Sequence, residues 1–522
     1  MPTAMVVCPH SLASTAGLNI LSQGGNAIDA AIAVQAALSV VYPHMTGLGG
    51  DGFWLGYHAR SAQLYGLNGS GRAGAGCDRT LFARLGLDAI PQRGPQAVIT
   101  VPGGVSAWGE AHQRLGHLPW ADLLQPAIAL AEQGYPVSAS QARWTRVNAD
   151  HLRAYGGAVN PFLPGGAPPK AGALITNKPL GATLRRLAAA GPQDFYQGEI
   201  AATLVTYLSE LGGYLTKADF ARHTATWVEP ISTTYRGYRV CQLPPNTQGF
   251  TVLQMLNVLE GFNLHTVGHG TADYYHLLVE ATKLAFADRD RWLSDPDFTD
   301  IPLAELISKP YGDRRRARLS MAVAQNPSAP TLGGDTAYTA VVDGEGNAVS
   351  IIQSLYFDFG AAVVPAELGF PLQNRGALFT LDPDHPNALE PGKRPFHTLM
   401  PGLVLTAAGQ PYLVLGTMGG EGQPQTQLAL LTRMIDFDFD PQTAIDLPRW
   451  VWGRTWGEAS TQLALESRIA TEVQQALAQR GHQVAEAPAW ADQMGHAHAI
   501  EIRQEGLRGG CDRRSDGAIA SL

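Results

Sequence analysis

Two helical patterns lead the chain. Apolar positions recur at Leu12, Ala16, Leu18 and Leu21, then more densely from Ile28 to Val41, at the three-to-four-residue spacing of a packed helix. Gly24 and Gly25 stop the first pattern, and Asn26 is placed to cap the second. The second run is apolar nearly all round, which predicts burial on several sides and hence a layered body. Further helices are predicted over 105–133, 177–212, 249–261, 271–293 and 424–435, the fourth of these through Leu277, Ala281, Leu284 and Ala285. Period-two runs predict a strand from Phe53 onward, a strand over 234–248 that ends in the Pro244-Pro245 loop, and a hairpin over 333–353. The hairpin turn is Asp343, Gly344, Glu345, Gly346 and Asn347. Strands and turns continue to about residue 418, and the strand-like "HAHAIEIR" ends the predicted fold. Before the hairpin, "VAQNPSAPTLGG" (323–334) is small, polar and rich in Pro and Gly, the composition of an exposed linker. No repeat of fixed period interrupts this order.

Composition narrows the class. The 522 residues are 45% hydrophobic and 16% charged, with 58 Gly and 35 Pro, which describes a loop-rich globular protein of several domains or one large α/β body. A formal net charge of −8 leaves no basic excess for phosphates, so nucleic acid is not an expected partner. The one basic cluster, Arg314, Arg315, Arg316 and Arg318, reads as a solvated helix face. Cys8, Cys77, Cys241 and Cys511 are too dispersed for a zinc pair or a small disulfide framework. The N-terminal "MPTAMVVCPH" lacks the features of a secretory leader, and no window of about 18 unbroken apolar residues follows. A cytoplasmic location without membrane contact is therefore expected. The stretch "GLGGDG" (47–52) fits a dinucleotide-binding pattern, but a strand follows it where that fingerprint must open a helix, so it predicts no nucleotide site.

The chemistry concentrates where the linker meets the hairpin. A chain cut between Asp335 and Thr336 would expose a threonine whose hydroxyl attacks and whose α-amine, with a pKa of about 8, takes the proton. The same hydroxyl could perform the cut by attacking the Asp335 carbonyl, forming an ester that water opens. Acyl transfer also needs donors for an oxyanion, and "LGTMGGEGQPQTQ" (415–427) offers the backbone N–H groups of Gly419 and Gly420. A plain strand-to-helix turn is the competing reading of those glycines.

Seven stretches carry a resemblance: "HSLASTAGLNILSQGGNAIDAAIA", "YPHMTGLGGDGF", "LPPNTQGFTVLQMLN", "KLAFADRDRWLSDP", "GDTAYTAVVDGEGNAVS", "KRPFHTLMPG" and "GTMGGEGQPQ". Through them the sequence resembles the γ-glutamyltranspeptidase family of N-terminal-nucleophile hydrolases over essentially its whole length. The resemblance implies an α/β fold, a four-layer αββα sandwich. It also implies a precursor that cleaves itself between Asp335 and Thr336 into a large subunit (1–335) and a small one (336–522), the two forming one intertwined body. Matched by position, the catalytic residues are Thr336 as nucleophile, Ser354 supporting its amine, and Gly419 and Gly420 at the oxyanion. A substrate-holding asparagine of the transpeptidases is replaced by Tyr356.

The departures lie in the substrate pocket. Leu378 stands where the transpeptidases place the aspartate that grips a substrate ammonium, and an alkyl group cannot pair with a cation. His397 and Thr398 replace a serine pair, and Ser70 holds an arginine's place with Arg72 two residues along. Arg72, Arg375, Lys393, Arg394 and His397 remain as cationic or donor groups, with Arg72, Arg375, His397, Thr398 and Tyr356 as the substrate-binding candidates. Such a pocket suits an amide that carries a carboxylate and no α-amine. Within the family the pattern resembles the transpeptidase-like amidohydrolases, and oxamate, hydrolysed to oxalate and ammonia, is the first-ranked substrate. Two alternatives stand: a γ-glutamyltransferase or glutathione hydrolase, and a non-catalytic binding protein that never matures. The expected partners are a small amide substrate and the two subunits of the chain's own precursor, with a dimer of heterodimers as the assembly allowed. No cofactor and no metal are expected; His496 and His498 read as structural histidines on one sheet face.

Overall fold

The computed structural model describes residues 2–157, 160–327, 334–453 and 460–522. The first predicted helix pair forms as Ser11–Ser22 and Ala27–Val41, and every residue of the second is buried. Asn26 caps it reciprocally with Asp29: the Asn26 side chain accepts from the Ile28 and Asp29 N–H groups, and Asp29 accepts from the Asn26 N–H. Asp343, in the hairpin turn, accepts a hydrogen bond from the Ala27 N–H at 2.8 Å. The turn of the hairpin is thereby fixed to the start of a helix buried along its whole length.

Two antiparallel sheets form the centre. The first runs, in spatial order, Ala518–Ser521, Met5–Cys8, Asp335–Val342, Ala348–Tyr356, Asp51–His58, Gln63–Gly69 and Thr226–Val228. The second runs Gly506–Cys511, Ala497–Arg503, Pro411–Thr417, Gly402–Leu405, Tyr238–Gln242 and Ile231–Tyr235. Strand alternation sends Tyr338, Ala340 and Val342 into the layer between the sheets, where they pack with Phe53, Leu403, Val414 and Ile500. The outer face of the first sheet is covered by a cluster that includes Ala27–Val41, and that of the second by Phe250–Leu259, Ala272–Trp292 and Gly422–Ile435. The layers are helix, sheet, sheet, helix, as the resemblance implied.

Several expectations need correction. The helix expected over 105–133 is two, Gly104–Leu115 and Trp120–Gln133, because Gly116 and Pro119 interrupt it. The region 177–212 likewise divides into Lys178–Ala190, Asp194–Gln197 and Glu199–Glu210 around Gly191 and Gly198. The segment 234–248 contains a hairpin turn at Arg236 and Gly237, both at positive φ, so its strand is the second half of a pair. "HAHAIEIR" does not end the fold: Gly506–Cys511 and Ala518–Ser521 follow, and the latter pairs with Met5–Cys8. Arg315 is not solvated but tied to buried Asp288. Residues 328–333 of the expected linker lie outside the described residues. Among the described residues no helix is long and apolar enough to cross a membrane.

Candidate active site

Thr336 enters the sheet opposite an irregularity. Ala337 pairs with Gln353 and Asp335 with Tyr356, so Ser354 and Leu355 both fall in the interval facing Thr336, a β-bulge that bends the partner strand. The bend is held from below by Gly50, where a Cβ would lie 2.3 Å from the Ser354 carbonyl oxygen. Within "GLGGDG", Gly50 thus packs against the bulge and Gly49 against the backbone of Pro371 and Leu372, and the strand Asp51–His58 follows as expected. Ser354 Oγ accepts from the Tyr356 N–H at 2.8 Å and from Arg375 Nη2 at 2.9 Å. Tyr356 adopts φ 83°, and a Cβ on Gly334 would lie 2.4 Å from its ring. Its ring therefore covers the backbone just ahead of the Asp335-Thr336 bond. Thr336 is only 1% exposed, and its hydroxyl has no hydrogen-bond partner among the described residues, an unusual state for a buried polar group.

Arg375 is the cation beside the bulge. It is fully buried, reaches Ser354 through Nη2, lies 3.3 Å from Thr398 Oγ1 through Nη1, and stacks 4.6 Å from the centre of the Tyr356 ring. Burial lowers its pKa to about 10, against the raising influence of Asp51 and Tyr356. Among the described residues its hydrogen bonds go to hydroxyls and not to a carboxylate.

Asp51 was not singled out by sequence reasoning, although an acid between the glycines and the strand of "GGDGFWLG" was a visible signal. Its Oδ1 accepts from the N–H groups of Gly71 and Gly103, both at 3.1 Å, and from Gln373 Nε2 at 3.0 Å. Burial raises its pKa to about 6, opposed by Arg375 and by these donors. His397 Nε2 lies 3.3 Å from Asp51 Oδ2, and its Nδ1 accepts from the Leu399 N–H at 3.4 Å. Burial, with Arg375 nearby, keeps the His397 imidazole neutral, well below its ordinary range. His397 thus buttresses Asp51 while its neighbour Thr398 faces Arg375.

Gly419 and Gly420 follow the strand Pro411–Thr417 and precede the helix Gly422–Ile435. Their φ values of 121° and 52° require glycine-like backbone. Among the described residues neither N–H donates a hydrogen bond, whereas the carbonyls are held: Gly422 N–H donates to Gly419 O at 2.7 Å and Gln423 N–H to Gly420 O at 3.3 Å. Gln248, also missed in the sequence, joins this turn to the rest: its Nε2 donates to Thr398 O at 2.8 Å and to Gly420 O at 3.0 Å.

Other candidates fall elsewhere. Arg72 is paired with Asp295 at 3.1 Å and with Asp297. With Arg394 it lines a cavity of about 460 Å³ whose described walls include none of Thr336, Ser354, Arg375 or Gly419. Ser70 is bonded to Asn68. Lys393 is held by Pro386 O and Glu390, and Arg394 by Ser70 O and Thr226. Leu378 packs with Tyr356 and Phe396 and lines a second cavity of about 350 Å³ with Leu293 and Phe379. His496 lies just ahead of the strand, bonded to Asp492, while His498 stacks on Tyr338. One His/Glu cluster escaped the sequence: ligand atoms of His276, Glu280 and His482 lie within 4.8 Å of one another. Lys283 Nζ already supplies the positive charge there, 2.7 Å from Glu280 Oε1.

Known proteins resemble the chain over its whole length. The family model described as gamma-glutamyltranspeptidase matches residues 13–522. The chain is 48% identical to the glutathione hydrolase-like YwrD proenzyme of Bacillus subtilis, covering 99% of this chain and 98% of that one. It is 42% identical to the oxamate amidohydrolase proenzyme of Klebsiella pneumoniae, over 99% and 98%. The crystal structure of cephalosporin acylase from Bacillus halodurans superposes with a TM-score of 0.92 at 38% identity, covering 100% of this chain and 96% of that one. With the αββα layers, this match shows that the chain is an amide hydrolase of the N-terminal-nucleophile type and belongs to the γ-glutamyltranspeptidase family.

Proposed function

We propose that the chain is the precursor of a hydrolase that cuts itself between Asp335 and Thr336 and then releases ammonia or an amine from a small amide bearing a carboxylate, with oxamate as the first substrate to test. The observation that carries this reading is Arg375, a buried guanidinium whose hydrogen bonds among the described residues go to hydroxyls and not to a carboxylate, in the same short helical turn as Leu378. A carboxylate is the natural occupant of such a fork, and an alkyl group offers nothing to a substrate ammonium.

The chemistry follows from the positions. Once cut, Thr336 offers its hydroxyl as nucleophile and its α-amine as base. Ser354 Oγ, bonded to Arg375, lies across the bulge to orient that amine. With its carboxylate on Arg375 and Thr398, the substrate turns its carbonyl toward the N–H groups of Gly419 and Gly420, which carry the developing oxyanion. Collapse expels the nitrogen with the proton held by the amine, leaving an acyl-Thr336 ester. Water, deprotonated by the same amine, opens the ester and frees the acid.

The glutathione hydrolase reading draws support from the name of the 48% identical Bacillus subtilis relative, and Leu378 weighs against it. The binding-protein reading has little support, since the similar proteins are named as hydrolases and acylases. Ammonia release from oxamate, measured beside glutamate release from glutathione, separates the first two. The expected result is turnover of oxamate by the parent, a loss of at least about 100-fold in kcat/KM with Arg375→Met, and no turnover with Thr336→Ala; turnover of glutathione alone would overturn the substrate assignment.

A further inference from the structure

We propose that Gln248 is a positioning residue that sets the oxyanion donors in register with the carboxylate-holding face of the site. The inference rests on the catalytic reading of Thr336, Gly419 and Gly420 given above. Gln248 is fully buried behind the Pro244-Pro245 turn. Its backbone N–H donates to His397 O at 3.1 Å, and its Nε2 donates to both Thr398 O and Gly420 O. One side chain therefore ties the segment that carries His397 and Thr398 to the turn that carries the oxyanion donors.

The amide cannot turn over. Arg289, 1% exposed, donates from Nη1 to Gln248 Oε1 at 3.2 Å and from Nη2 to Glu421 Oε1 at 3.1 Å. A guanidinium has only donors, so Oε1 must face Arg289 and Nε2 must face the two carbonyls. Glu421 is the residue after Gly420, which closes a ring from Gln248 through Gly420, Glu421 and Arg289 back to Gln248.

Peptide planes translate this ring into donor direction. Thr417 Oγ1 donates to Met418 O at 2.7 Å and fixes the plane that carries the Gly419 N–H. Gly422 N–H fixes Gly419 O, and with it the plane of the Gly420 N–H. The next plane is held at Gly420 O, where Gln248 acts with Gln423 N–H. At a residue as free as glycine, losing that hold lets the donors drift, and donors of this kind count in the transition state more than in the bound ground state.

The test is Gln248→Glu in the full-length chain, with Gln248→Leu and Arg289→Lys beside it. Glutamate still accepts from Arg289 but offers no donor to the two carbonyls, so it separates the donor role from packing. The readouts are kcat and KM for oxamate and the inhibition constant of a carboxylate-bearing boronic acid, which mimics the tetrahedral adduct. The expected result is a fall in kcat of about 100-fold, KM within about twofold, and boronate affinity lowered in parallel with kcat. Arg289→Lys, whose single ammonium cannot serve both partners, should fall in the same direction. Unchanged kcat in Gln248→Glu, or a rise in KM alone, would overturn the inference while leaving the catalytic reading intact. If Gln248→Glu does not fold, the same split in Arg289→Lys decides the matter. If the parent hydrolyses no amide, or Thr336→Ala matches the parent, the reading and the inference fall together.

Discussion

A threonine hydroxyl that is buried and bonded to nothing described is a costly choice at an ordinary strand start, and it is the residue-scale mark of Thr336. The charges around it differ in kind. Arg375 is a buried cation with hydroxyl neighbours, while Asp51 is a buried anion supplied with donors. Asp51 gives a pH signature whose sign can be worked out. Its folded pKa, about 6, lies above its ordinary 3.8 because burial disfavours the charged form. The stability due to its neutral form is complete below pH 3.8 and is lost as the pH rises through 6. Asp51→Asn, which cannot ionise, should therefore match the parent near pH 4 and gain on it by up to about 3 kcal/mol by pH 7, with activity reduced because His397 and Arg375 lose their anion. Urea unfolding at both pH values checks this; an equal offset at pH 4 and pH 7 would contradict it.

At the scale of elements, the hairpin that carries Thr336 was legible because alternation and an Asp-Gly-rich turn leave few other structures for 333–353. The bulge inside it was not, since Ser354 and Leu355 continue the alternating pattern and only pairing register reveals the extra residue. The glycine pair was legible as an unusual turn, yet Gln248, which holds that turn, reads in sequence as one polar residue in a loop. Asp51 was hidden for the same reason: its partners Gly103, Gln373 and His397 lie far along the chain. The long helix Ala272–Trp292 showed its apolar face in sequence, but not its polar seam. There Lys283 Nζ bonds Glu280 and Gln325 O, and Glu280 Oε2 accepts the Gln325 N–H at 3.0 Å. This seam anchors the described end of the segment that leads toward Asp335. Glu280→Ala would strand the buried ammonium and should destabilise the chain by about 3 kcal/mol in urea unfolding, with Glu280→Leu/Lys283→Met recovering most of the loss. No recovery in the double variant would show that packing, and not charge, makes the seam.

For the whole molecule, the order of layers followed from the resemblance and from one buried helix, whereas strand order did not, because non-neighbouring segments pair. Met5–Cys8 pairs with both Asp335–Val342 and Ala518–Ser521, and Gly402–Leu405 pairs with Tyr238–Gln242. Each sheet therefore draws strands from both sides of Asp335-Thr336. A cut at that bond would leave two chains that share both sheets and one interlayer core, and they should stay together without a covalent link. Mass analysis of the purified protein tests this most directly, first under native conditions and then denatured. The predicted result is one native species that separates on denaturation into two chains, the smaller beginning at Thr336, with Thr336→Ala remaining a single chain. An intact parent chain, or a small chain that begins at any other residue, would contradict Thr336 as the nucleophile.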